Sequence, residues 1–161
     1  MSGLARGVDA CALEGALSVE GGVGGVVLGN GLPEIYPTEN IELAHRLVAG
    51  GGFVASEFQL DALPLKGHFP TRNRLISGWS VGVVVVAATV RSGSLHTAKW
   101  ALDQGREVFA VPGPVEGPEF EGVHHLIRDG AHLVASAAEA IEILHFRNQL
   151  PRPEFGDGAM S

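Results

Sequence analysis

Five of the chain's 11 lysines and arginines, Lys66, Arg72, Arg74, Arg91 and Lys99, fall between Asp61 and Asp103, a window that holds none of its 18 acidic residues. The rest of the chain is strongly acidic, so the net charge of −7 conceals one concentrated basic region. A polyanion responds to local potential rather than to net charge, and lysines and arginines without competing carboxylates form the usual footprint of phosphate binding. Part of the window is acid-free simply because residues 81–88, VGVVVVAA, are an apolar run. Lys66, Arg72, Arg74 and Arg91 flank that run instead of sitting in it, which favours an anion site over solvated surface charge. Two glycine-bearing stretches could join them. Residues 3–7, GLARG, run into a helical pattern, and Arg91-Ser92-Gly93-Ser94 forms a small-residue turn before another. A loop that ends at a helix N-terminus offers unpaired N–H groups to an anion.

The elements that must position these groups alternate. Helical spacing of Ala10, Leu13, Ala16 and Leu17 is followed by strands predicted at residues 23–28, 53–58, 81–88, 107–111 and 132–135. Between them lie helices predicted at 41–48, 71–78, 95–102, 120–129 and 137–146, with residues 147–161 reading as a polar, proline-bearing tail. The connection from Asn30 to Pro37 is irregular. This alternation implies a parallel sheet with helices on both faces, a Rossmann-like three-layer α/β/α architecture in which ligands bind at the carboxyl ends of the strands. All three anion-friendly stretches fall at that edge.

Composition bounds the rest. A chain of 161 residues, 45% hydrophobic and 18% charged, is one domain with a substantial core. Its single cysteine, Cys11, forbids an intrachain disulfide and fits a reducing compartment. Neither a long apolar span nor a secretory signal pattern is present, and a cytoplasmic protein is expected. His68, His96, His124 and His125 show no metal-ligand spacing, so neither a metal nor a cofactor is expected.

The strings SGLARGVDACALEGAL, GNGLPEIYPTEN, SEFQLDALPLKGHFPTRNRLISGWS, RSGSLHTAKWALDQGREVFAVPG and GVHHLIRDGAHLV resemble, in order and spacing, the Rossmann-like domain of the DprA/Smf family of DNA-processing proteins. The resemblance spans residues 2 to about 144, within a domain of residues 1–146. It implies a non-enzymatic single-stranded DNA-binding protein of natural transformation, which protects incoming DNA, helps load the recombinase RecA and forms a homodimer. By motif, Lys66 and Phe69 match the K-x-x-F element, the first pairing with phosphate and the second stacking on a base. Arg72 and Arg74 match the RNR element, and Ser92, Gly93 and Ser94 the turn lining the pocket, with Gly3, Arg6 and Arg91 completing the site. From the residues alone, Phe69 beside Pro70 reads first as a core anchor, and the two arginines read equally well as ties to backbone carbonyls.

The sequence also departs from the pattern. Leu13 stands where the family usually has histidine, and Val123-His124 replaces a small residue and asparagine. Members of the family precede SGLARG with a strand, a G-S/T-R phosphate loop, a helix and a second strand, whereas this sequence begins at Met1. The expected fold therefore lacks the family's first strand-helix unit, as a fragment, a mis-set start or a degenerate copy would. Residues 23–28 are then expected to present a raw, unpaired and association-prone edge. The other function considered is a Rossmann hydrolase of nucleoside monophosphates, resembling the cytokinin-activating phosphoribohydrolases. That chemistry resembles one using a PGGxGT turn followed by a glutamate. Here Arg91-Ser92-Gly93-Ser94-Leu95 meets no acid until Asp103, and Pro112-Gly113-Pro114-Val115 lacks the glycine pair.

Overall fold

The computed structural model describes residues 1–147 and 149–151. Helices and strands alternate along it: α1 (Val8–Leu17), β1 (Gly25–Val27), α2 (Ile41–Ala49), β2 (Phe53–Ala55), α3 (His68–Gly78), β3 (Gly82–Val85), α4 (Gly93–Asp103), β4 (Glu107–Ala110), α5 (Glu121–Arg128), β5 (His132–Leu133) and α6 (Ala137–Phe146). Every strand pair is parallel, as the alternation predicts for an α/β protein. The ladder is divided, however, into a pair β1-β2 and a trio β3-β4-β5, with no strand hydrogen bonds joining the two among the described residues.

Each half has its own core. Leu43, Ala44 and Leu47 sit on one face of α2 and close with Leu13 of α1 over Val26 and Leu28. In the second half, alternate residues of β4 go to different clusters. Val108 and Ala110 join Val85, Ala98 and Ala101 of the β3-α4 unit and Val123 of α5, while Phe109 joins Val134, Ala140 and Leu144 beside α6. That alternation is the two-residue period of a strand covered on both faces. Side chains as buried as Leu47 and Phe109 each contribute roughly 1.5–3 kcal/mol relative to exposure.

Several expectations need correction. The strands are shorter than their apolar runs: the 81–88 run keeps its ladder only to Val85, after which the Ala88 amide donates to the Glu119 carbonyl instead. Helix α3 begins at His68, three residues before the predicted start at Thr71. Pro70 had argued for a later start, but it lies in the first turn, where a missing N–H removes no intrahelical bond. The raw edge expected on β1 is partly covered, because Ser2 bridges Val26 in parallel, its amide donating to the Gly25 carbonyl (2.9 Å) and its carbonyl accepting from the Val27 amide (3.1 Å). Gln149 returns a hydrogen bond to Leu144 and Leu150 packs on the α6 cluster, so the predicted tail is not free at its start. Residues 148 and 152–161 of that tail lie outside the described residues.

Candidate nucleic-acid interface

Beyond Ser2 the chain turns through residues 3–7 into α1. This turn was expected to present free amides, and two of them are already taken. Asp9, one residue into α1, accepts the amides of Gly3 (3.0 Å) and Ala5 (3.2 Å) through Oδ2, so a built-in carboxylate already takes the place of an anion there. Asn40 fixes the same turn from the other side, its Nδ2 donating to the Leu4 carbonyl at 2.8 Å. Leu4, wholly buried, is held at φ 62°, a left-handed conformation that a leucine adopts only under such constraint.

The RNR arginines do different work. Arg72 is 4% exposed. Its Nη1 donates to the carbonyls of Gly3 (3.2 Å) and Val27, and its Nε to Asn73 Oδ1 (3.1 Å). One side chain thus ties α3 to the end of β1 and to the turn after Ser2. Burial pushes its pKa down to about 10, with nearby Asp9 acting in the opposite direction, so the guanidinium remains charged at neutral pH. Gly3 is required beneath it, since a Cβ there would lie 2.5 Å from Nη2. Arg74 pairs with Glu57, which lies outside the acid-free window in sequence yet touches it in space. The expected basic face is therefore partly neutralised.

Phe69, in the first turn of α3, packs over Gly29, where a Cβ would come within 2.7 Å of its Cδ1. Its ring lies 5.8 Å from that of Tyr36, tilted by 36°, and 5.8 Å from Arg72 Cζ. His68 anchors the same turn, Nδ1–H donating to the Gly29 carbonyl at 3.1 Å while the imidazole stacks on Phe58 at 4.2 Å. Around Phe69 opens a pocket of about 220 Å³ lined by Gly3, Ala5, Arg6, Tyr36, Pro37, Phe69 and Arg72. It is smaller than the roughly 300–1,000 Å³ typical of drug-sized ligands, and its walls are mostly apolar or aromatic.

Four expected site residues, Gly3, Arg6, Phe69 and Arg72, therefore meet in one pocket. Lys66 is exposed on the loop entering α3, and Arg91 is exposed before α4; neither pairs with a carboxylate among the described residues. Ser92 caps α4: its Oγ accepts from the Ser94 amide (3.4 Å) and lies 2.7 Å from Ser94 Oγ. Gly93 opens α4, and Asn73 Nδ2 reaches its carbonyl at 3.4 Å, linking this turn to α3. Sequence reading missed Tyr36 and Pro37 as walls, Asp9 as the carboxylate in the turn, and Glu39, which pairs with Arg6. Tyr36-Pro37 lies in the connection that follows the carboxyl end of β1, the kind of position at which ligands bind in α/β sheets, a signal that could have found it. No three His, Cys, Asp or Glu side chains cluster as a metal site, and no helix is long and apolar enough to cross a membrane, among the described residues.

Comparison with known proteins shows the family to which the chain belongs. The family model for DNA recombination-mediator protein A matches residues 1–145. The chain is 55% identical over 145 residues to protein Smf of Escherichia coli (strain K12), covering 90% of this chain and 38% of that protein. Against the DNA processing protein DprA of Bacillus subtilis (strain 168) it is 45% identical over 148 residues, 92% of this chain and 49% of the relative. It thus spans half or less of the length of these relatives. The X-ray structure of DprA from Streptococcus pneumoniae superposes with a TM-score of 0.79 at 43% identity, over 88% of this chain and 49% of that one. DNA processing protein A of Helicobacter pylori, whose structure describes a single-stranded DNA binding mode, gives 0.78 at 31% identity, over 91% and 65%. With a Rossmann-like α/β fold and a family match over residues 1–145, the chain belongs to the DNA recombination-mediator protein A family, that of the DprA and Smf proteins.

Proposed function

We propose that this chain binds single-stranded DNA, one base entering the pocket against Phe69 and Tyr36 while phosphates meet Lys66, Arg6 and Arg91 outside it. The observation that carries this is the pocket itself: aromatic and apolar walls, one buried guanidinium, and a volume of about 220 Å³ suited to a single flat group. Stacking on aromatic walls beside a cationic margin is how single strands are held without sequence preference. The lining contains no carboxylate or histidine to serve as general acid or base, which favours binding over hydrolysis of a nucleoside monophosphate. Participation in natural transformation, delivery of the bound strand to the recombinase RecA, and homodimer formation are the wider roles that family membership supports for it.

Salt titrations of oligothymidylate binding test the division of labour. Lys66→Ala should flatten the plot of log affinity against log salt by about 0.7, the contribution of one phosphate contact on a single strand. Phe69→Ala should cost about 1–3 kcal/mol of stacking and leave that slope unchanged. Unaltered binding in both folded variants would place the DNA elsewhere.

A further inference from the structure

Arg6 is the pocket's exposed cation, yet it is not free. Its Nε (3.0 Å) and Nη2 (2.5 Å) both donate to one oxygen, Glu39 Oε1. This is not the parallel fork in which each N–H meets its own acceptor, the geometry in which arginine binds carboxylate or phosphate most strongly. The pair also lies in water, with side-chain exposures of 65% for Arg6 and 55% for Glu39. Such a pair is weak, and screening weakens it further. The other nearby carboxylate, Asp9, is committed to the Gly3 and Ala5 amides. Glu39 is thus the group a phosphate must contend with at Arg6.

Resting on the single-stranded DNA reading above, we propose that Glu39 is a displaceable counter-ion that sets the affinity of the pocket: a phosphodiester takes its place on Arg6, offering two oxygens to the fork where Glu39 offers one. Hydrogen bonding to its own backbone amide and to Arg6 holds the Glu39 carboxyl below the usual carboxylate range, so it competes in its ionised form at neutral pH. Arg6 remains parked beside the pocket in the empty protein instead of sweeping through solvent, and its engagement requires an anion positioned by the base already stacked on Phe69. A free anion without such an anchor gains little.

The test is a double-mutant cycle on the full chain with oligothymidylate as probe, each variant titrated with salt. Glu39→Gln should tighten binding by about 1.5- to 5-fold, the range set by the strength of an exposed ion pair. It should steepen the salt slope by up to about 0.7, because the phosphate contact no longer exchanges for a released carboxylate. In an Arg6→Ala background the same substitution should do nothing. Glu34→Gln, a nearby exposed acid with no arginine partner among the described residues, controls for net charge and should have a smaller effect. Glu39→Ala must agree in sign with Glu39→Gln. Weaker binding in Glu39→Gln, or equal tightening with and without Arg6, would overturn the proposal while leaving the DNA reading intact. If the unaltered chain failed to bind oligothymidylate at all, the DNA reading would fall and this one with it.

Discussion

Replacing Arg72 by lysine keeps the positive charge and most of the side-chain volume but removes the fork. The arginine makes three hydrogen bonds, to the Gly3 and Val27 carbonyls and to Asn73 Oδ1. A single ammonium group at the end of a flexible stem can satisfy one of them well. Two are then lost. At the lower end of the range for bonds to charged groups, about 1.5 kcal/mol each, Arg72→Lys should destabilise the fold by about 3 kcal/mol. For a domain of this size that lowers the melting temperature by roughly 6–12 °C. Urea denaturation followed by far-UV circular dichroism should show a lower midpoint with an unchanged m-value, since the area exposed on unfolding is the same. DNA affinity, measured well below the transition, should also fall, because the turn carrying Gly3 and Arg6 loses its tie to α3. An unchanged midpoint with lost affinity would refute the structural role and make Arg72 a direct DNA contact. Unchanged values of both would mean that the three bonds contribute nothing net.

Gly29→Ala places a methyl group 2.7 Å from Phe69 Cδ1, so the ring must leave its seat; oligothymidylate affinity should drop as in Phe69→Ala, with the salt slope preserved. Ser92→Ala removes the cap of α4 and should cost about 0.5–2 kcal/mol in urea denaturation, with a smaller effect on DNA affinity than Lys66→Ala. Phe109→Ala, at a site 1% exposed, should cost about 3–5 kcal/mol and serves as the reference for damage that does not touch the pocket.

The alternation of elements was legible because its signals are local. Ser136, directly before the helix predicted at 137–146, reads as its cap, and its side chain accepts the Glu139 amide in the structure, whereas the cap at Ser92 was not read because that helix was expected to start at Leu95. The apolar run at 81–88 read as a strand buried on both faces; it does contain β3, but Val84 is 50% exposed and Val86 38%. Pairings across long stretches of chain were not legible: Arg6 meets Glu39 33 residues on, and Arg72 reaches a carbonyl 69 residues away. A charge count over a window in sequence includes none of the carboxylates that folding brings alongside, which is how Glu57 came to neutralise Arg74. Nor could spacing reveal that Asp9 would take the Gly3 and Ala5 amides of the turn before it. In sequence it is an ordinary acidic residue in the first turn of a helix, favourable there through the helix dipole alone.

The division of the sheet bears on how the molecule comes apart. Where a continuous parallel ladder would join all five strands in one cooperative unit, β1-β2 and β3-β4-β5 are linked through side chains, chiefly where α3 lies against α4 and where α3 meets β1. Two neighbouring foldons joined in this way open with distinct free energies, and native-state hydrogen exchange reports them as separate isotherms. Five of the seven residues lining the pocket, Gly3, Ala5, Arg6, Tyr36 and Pro37, lie on the β1-β2 side, while Phe69 and Arg72 stand on α3, the element that bridges the two halves. A transient opening of the β3-β4-β5 unit would therefore strip away the Arg91 to Ser94 turn and, by taking α4 from α3, loosen the Phe69 wall, while the Gly3 to Arg6 turn and Tyr36-Pro37 keep their own core.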